Sequence, residues 1–255
     1  MTRFLKNAYI LAVFLFLYSP LVVIAVFSFN RSKHSMAWKG FTTMWYTKLF
    51  HNDSLLIAAY HSLTIAAASA TLSLVLGTMA AFLLHRRRIP GRQAFLGIMF
   101  AMMMTPDIVI GISLLVLYLI VHWPLGFWTL LLAHVTLCAP FVTVTVHARL
   151  KSIRPSLLES AQDLGAPEYQ VFRRIIVPLA APALAAGWLL SFTLSLDDVL
   201  ISFFTTGPTY DVLPLRIYSM VRMGVKPDVN ALCVVVIVFT VTAVALARRI
   251  LKEKI

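Results

Sequence analysis

Six stretches of this chain are each long and apolar enough to cross a bilayer, and that limits its fold more than any other feature. A helix needs about 20 apolar residues to span the hydrocarbon core. The stretches run over Ala8–Phe29, Ala58–Leu84, Ala94–Val121, Leu125–Ala148, Leu179–Phe204 and Asn230–Ala247. Backbone polar groups in lipid find no water, so such runs must be helices. The expected fold is an all-α membrane protein with six transmembrane helices. Arg3 and Lys6 precede the first run as they would in a signal peptide. That run is too long, however, and Ile24-Ala25-Val26-Phe27 offers no small-residue cleavage site. It reads as an uncleaved span, kinked near Pro20.

Composition agrees. Of 255 residues, 60% are hydrophobic and 13% charged, against about 25% charged in soluble domains. A soluble enzyme, a disordered chain and a nucleic-acid-binding domain are excluded. The formal charge of +12 would suggest a nucleic-acid partner in a soluble protein. In this chain it reflects basic loops that anchor spans at the cytoplasmic face. Of the 22 Lys and Arg, 15 fall on one set of loops and 7 on the other, which places both termini in the cytoplasm. Trp38, Trp45, Trp123 and Trp128 all fall on the opposite, outer side. Arg86-Arg87-Arg88 reads as a topology anchor. Cys138 and Cys233 lie inside apolar runs and read as packed free thiols. No metal-ligand spacing is present, and no metal or cofactor is expected. Without a repeat or low-complexity tract, residues 1–255 read as one membrane domain.

Two loops stand apart. The outer loop Asn30–Ile57 carries Trp38, Trp45 and Tyr46 and is long enough for an amphipathic segment on the outer surface. The inner loop, about Leu150–Pro178, carries Ser156-Leu157-Leu158-Glu159, which has capping-box spacing. A short helix is expected from Leu157, with Leu157, Ala161 and Leu164 on one face. Gly165 can end it in a left-handed conformation, and Pro167 blocks its continuation. A second short helix from Pro167 would carry Tyr169, Phe172 and Ile176 on one face. By pattern alone this is either a projecting pair of helices or an amphipathic loop resting on lipid headgroups.

The spacing Glu159-Ser160-Ala161, Gly165, Ile175-x-Val177-Pro178 resembles the EAA loop of ABC importer permeases. Ser160 stands where the family pattern has Ala, and Val177 where it has Leu. The resemblance implies a type I importer permease in which this loop is the coupling helix that docks on the ATP-binding subunit. Narrower similarity is carried by Leu189–Asp198, Met104–Val109, Phe41–Tyr46, Leu213–Val221 and Phe27–Asn30. These are similar to the shorter, C-type permease of the polyamine (spermidine/putrescine) importers. The resemblance implies a multi-pass protein of the bacterial inner membrane and several partners. Those are an ATP-binding cassette ATPase dimer, a second homologous permease and an extracytoplasmic polyamine-binding protein, with no nucleic acid. The sequence lacks Gly-x-x-x-x-Gly-Lys-Ser/Thr, so ATP would be hydrolysed on another subunit and this chain is not an enzyme.

Carboxylates within spans are costly, and they are functional candidates by default. Asp107, Asp197 and Asp198 qualify. Asp107 follows Pro106, whose missing N–H would kink or unwind the third span. In the fifth span Ser191, Ser195, Asp198 and Ser202 share a narrow face, while Asp197 points about 100° away. Either one carboxylate faces a neighbouring helix or the span is distorted near Leu196. Of the two, Asp198 is expected to be the more pathway-facing. An ammonium about 4 Å from a carboxylate gains roughly 4 kcal/mol at an effective dielectric near 20, so an acidic pathway suits a multivalent amine. Trp45 and Tyr46 are candidates for cation–π contacts. Ser69, Ser73, Gly77 and Ala81 form a stripe for close helix packing. His134 and His147 read as core histidines. The alternatives are a permease for another cationic or small organic solute, and a proton-coupled secondary transporter. Intramembrane aspartyl protease motifs are absent from the sequence.

Overall fold

The computed structural model describes residues 3–32, 37–86, 90–222, 224 and 227–252. Those residues form helices and turns, with no strand among them beyond an isolated Asn30–Phe41 bridge. Arg87 and Arg88 of the expected basic anchor lie outside the described residues. Two compact units divide the chain, one of residues 1–57 and 216–255 and the other of residues 58–215.

In the first unit α1 (Arg3–Phe27) is continuous through Pro20, and most of its large side chains are exposed. Its C-terminal end is organised by Asn30, which is fully buried. The Asn30 amide donates to the Ala37 carbonyl, and its oxygen accepts the Lys39 and Ser32 N–H groups. The segment expected on the outer surface is α2 (Met44–Phe50), which buries Trp45 and Leu49. Both α1 and α2 pack on α12 (Pro227–Lys252).

The second unit is organised around α6 (Phe127–Lys151), which runs through Pro140 with both of its histidines buried. Helix α3 (Asp53–Arg86) packs on α6 through its small-residue stripe. Ser69, Ser73 and Ala81 are buried, and a Cβ at Gly77 would sit 2.7 Å from Val142 Cβ. The close approach explains the stripe. Helix α4 (Arg92–Met104) also packs on α6, where Arg92 reaches Nε2 of His147 at 3.4 Å. At Thr105–Pro106 the chain bends by 108° into α5 (Asp107–Ile120). The third apolar stretch is thus two helices. Thr105 is extended, at φ −72° and ψ 133°, as a residue before proline prefers.

After α6 come α7 (Pro155–Asp163), α8 (Glu168–Val171), a π-turn (Phe172–Ile176), α9 (Val177–Asp197), α10 (Leu200–Thr205) and α11 (Leu213–Arg222). The fifth stretch is also interrupted, between α9 and α10. Ala81, Val142, Val146, Leu150, Ile176 and Ala180 share one buried cluster of α3, α6 and the start of α9. Among the described residues four helical runs are long and apolar enough to cross a membrane, or five if the bent α4–α5 pair is one span. Over the described residues the last apolar run, Pro227–Thr242, is shorter.

Candidate functional site

The break in the fifth apolar stretch gathers a cluster of buried polar groups. Asp197 ends α9, and Asp198 leaves the helical conformation at φ −65° and ψ 129°. Its side chain then caps α10, with Oδ1 accepting the Ile201 N–H at 3.2 Å and Oδ2 the Ser202 N–H at 2.7 Å. Oδ2 also lies 3.5 Å from Nε2 of His134 on α6. Nδ1 of His134 is 2.6 Å from Ser195 Oγ, and Nε2 is 3.0 Å from Ser202 Oγ. From α3, Ser69 donates to Ser195 Oγ at 3.0 Å. One buried chain of polar groups therefore ties α3, α6, α9 and α10 together.

Of the two alternatives read from the sequence, the distorted span is the one found. The distortion sits at Asp198–Val199, just past Leu196. The Ser191, Ser195, Asp198 and Ser202 face is packed, with Asp198 only 8% exposed. Ser191 uses its carbonyl to accept from Cys138 Sγ at 3.4 Å, and its hydroxyl makes no hydrogen bond among the described residues. Asp197 is exposed instead. Its carboxylate is bonded to no other residue among those described.

Asp107 is exposed at the first position of α5, where a carboxylate complements the helix dipole. Helices α5 and α10 pack closely. A Cβ at Gly111 would come within 2.9 Å of the Phe204 ring and 3.3 Å of the Ile201 backbone. Asp107, Asp197 and Asp198 consequently lie within range of one another's charge. The second unit thus brings the three span carboxylates to one region, at the starts of two half-length helices.

Trp45 and Tyr46 belong to the first unit and are engaged locally. Trp45 Nε1 donates to the Asn30 carbonyl at 2.8 Å, and Lys48 Nζ already sits 5.1 Å from the indole centroid. The Tyr46 hydroxyl pairs with Ser28 Oγ at 2.7 Å.

The inner loop is built on a helix stop. Gly165 N–H bonds the Gln162 carbonyl at 2.8 Å and Ala166 N–H bonds the Ala161 carbonyl at 3.1 Å, the paired bonds of a Schellman turn. Gly165 takes φ +77°, the left-handed conformation expected of it. Ala161, Ala166 and Ile175 pack on the core below. Glu159 is exposed, as is Ser160, whose hydroxyl donates to the Ser156 carbonyl at 2.8 Å. Leu164 projects at the turn, 88% exposed. Beside α7 lies a cavity of about 460 Å³ lined by Arg149, Arg154, Ser156 and Ser160.

Three details of this loop differ from expectation. Pro155 occupies the first turn of α7, and no side chain caps it. Proline's fixed φ suits that position, which displaces Ser156 from the cap. Tyr169 is 66% exposed and does not share the buried side of Phe172 and Ile176. Finally, α8 runs through the π-turn into α9 rather than ending as a separate helix. Val177 N–H bonds Phe172 O, five residues back. Pro178, exposed in the first turn of α9, cannot donate to the ladder, and the wider turn lies directly upstream of it.

His134 and Asn30 organise these regions, and sequence reasoning gave neither that role. Their partners are distant in the chain or are backbone groups, which leaves no spacing signal.

Residues 73–253 match the family "Binding-protein-dependent transport system inner membrane component". The chain belongs to this family. It is 50% identical to the "Spermidine/putrescine transport system permease protein PotC" of Escherichia coli K12, over 99% of this chain and 96% of that protein. It is 42% identical to the "Putrescine transport system permease protein PotI" of the same strain, over 88% and 82% respectively. Among solved structures, the chain superposes with a TM-score of 0.77 and 18% identity on a chain of a bacterial ABC transporter involved in alginate import, covering 98% of each. That likeness concerns the fold, which is the helical permease fold of ABC importers. This membership makes the chain a multi-pass membrane transport subunit.

Proposed function

We propose that this chain is one of two permease subunits of an ABC importer that moves polyamines into the cytoplasm across the bacterial inner membrane. The observation that carries this reading is the half-identity to a spermidine/putrescine permease along nearly the whole chain. Six spans with both termini cytoplasmic, forming one membrane domain, fit the loop charges counted above. The sixth would be completed by α12. ATP is hydrolysed by an ATPase dimer, and the chain itself catalyses no reaction. A second homologous permease completes the pathway, and an extracytoplasmic polyamine-binding protein delivers the substrate.

The α7–α8 turn is the coupling element. Its exposed face presents Glu159, Leu164 and Tyr169, while Ala161 and Ile175 join it to the core of α3, α6 and α9. Closure of the ATPases moves that turn as a rigid body and, with it, the inner ends of the spans. The substrate pathway is acidic. Asp107 and Asp197 offer carboxylates to the ammonium groups, and Asp198 and Ser195 shape the break beside them.

The test is uptake of labelled spermidine and putrescine into proteoliposomes holding the assembled complex, with binding protein and internal ATP. Uptake that needs both supports the reading. Uptake driven by a proton gradient without ATP would replace it with secondary transport. In the same assay Gly165→Val, a β-branched residue forced to positive φ at a cost of about 1–2 kcal/mol, is expected to lose ATPase docking and uptake while the permease still inserts.

A further inference from the structure

Resting on that reading, we infer that His134 is a positioning residue. By holding Asp198 inside the break of the fifth span, it turns Asp197, and not Asp198, toward the transported cation.

The proton assignment follows from the partners. A carboxylate only accepts hydrogen bonds, so the imidazole nitrogen facing Asp198, Nε2, carries the hydrogen. In the neutral ring Nδ1 then accepts from the Ser195 hydroxyl. Ser195 Oγ in turn receives the Ser69 hydroxyl at 3.0 Å. Nε2 lies between Ser202 Oγ at 3.0 Å and Asp198 Oδ2 at 3.5 Å, so the polar chain runs from Ser69 through Ser195 and His134 to both of them.

One ring therefore holds both sides of the break. Ser195 lies on α9, Ser202 on α10, and Asp198 between them, and His134 reaches all three at 2.6, 3.0 and 3.5 Å. His134 itself is 1% exposed on the most buried helix of the unit. The Asp198 carboxylate, taken by two backbone N–H groups and the imidazole, is 8% exposed. Each of its oxygens is already engaged within the protein. Asp197 sits one residue earlier, at the last position of α9, exposed and within range of the Asp107 charge. Asp197 keeps the helical conformation of α9, and the bond between Ser195 and His134 two residues earlier fixes the end of that helix on α6.

The experiment compares spermidine and putrescine uptake by the reconstituted complex carrying Asp197→Asn, Asp198→Asn, His134→Ala, His134→Gln and the Asp197→Asn/His134→Ala pair. Spermidine carries three ammonium groups and putrescine two, so losing a carboxylate that meets the third group lowers the spermidine-to-putrescine ratio, whereas a general loss of assembly does not. Asp197→Asn is expected to lower that ratio about tenfold with the amount of assembled complex unchanged. His134→Ala lowers it in the same direction, and adding it to Asp197→Asn lowers the ratio no further, because both act through one carboxylate. His134→Gln, which keeps a donor for Asp198, returns the ratio toward wild type. Should His134→Ala fail to assemble, His134→Gln with and without Asp197→Asn carries the same test. An unmoved ratio in Asp197→Asn overturns the inference, as does a ratio lowered by Asp198→Asn alone. Equal losses of both substrates in the His134 variants would make that residue merely structural. Wild-type complex that takes up neither amine refutes the polyamine reading instead.

Discussion

Two apolar stretches of this protein stop and restart within the depth of a membrane, and they do so for different reasons. At Thr105–Pro106 the chain turns by 108° because Pro106 has no N–H to give and forces its predecessor out of the helical region. At Asp198–Val199 there is neither proline nor glycine. There a side chain competes with the helix ladder: Asp198 takes the amides of Ile201 and Ser202 for itself, and His134 holds it in place. The first break lacks a donor. The second uses captured donors. Both place an aspartate beside the start of a short helix, and the two short helices pack together through Gly111.

The difference can be broken deliberately. The largest effect is expected from Asp198→Ala, which strips α10 of its cap and leaves two buried amides without their acceptor. A loss of about 2–4 kcal/mol is expected, read as a large drop in the midpoint of thermal unfolding of the purified permease in detergent. A midpoint within a degree of wild type would mean that the break is held by packing alone.

Pro106→Ala tests the other break. Restoring a donor should let α4 run further and reduce the bend, at a stability cost below that of Asp198→Ala. Spin labels at Phe95 and Val116 would then move apart in a pulsed electron–electron distance measurement. An unchanged distance would assign the bend to the α5–α10 packing rather than to the proline.

Ser191→Ala is the smallest effect and has the opposite sign. Its hydroxyl is buried on the same face as Ser195 but makes no hydrogen bond among the described residues. Removing it relieves an unmet desolvation cost, so a gain of up to about 1 kcal/mol is expected. A loss of stability would show that this hydroxyl has a partner.

These contrasts also mark what the sequence could reveal. The Pro106 break is readable because its cause is one residue and purely local. The Gly165 stop and the packing stripe Ser69, Ser73, Gly77 and Ala81 are readable for the same reason, since both follow from local geometry at fixed spacing. The Asp198 break was legible only as one of two alternatives, a distortion near Leu196. What holds it was not, because its partner His134 lies on another helix. Trp45 and Tyr46 were legible as aromatic residues of the outer loop, but not their contacts with Asn30 and Ser28, because those depend on how the loop folds back. In α7 the capping-box spacing was outweighed by Pro155 one residue earlier.

The acidic pathway is tested most directly by charge removal at its two exposed carboxylates together. In the assembled complex, Asp107→Asn combined with Asp197→Asn keeps side-chain volume and hydrogen bonding while removing two negative charges. ATP-driven spermidine uptake is expected to fall by at least about tenfold, or about 1.4 kcal/mol of lost transition-state stabilisation, with complex abundance and ATPase docking unchanged. Uptake at the wild-type rate by a normally assembled double variant would contradict the acidic pathway.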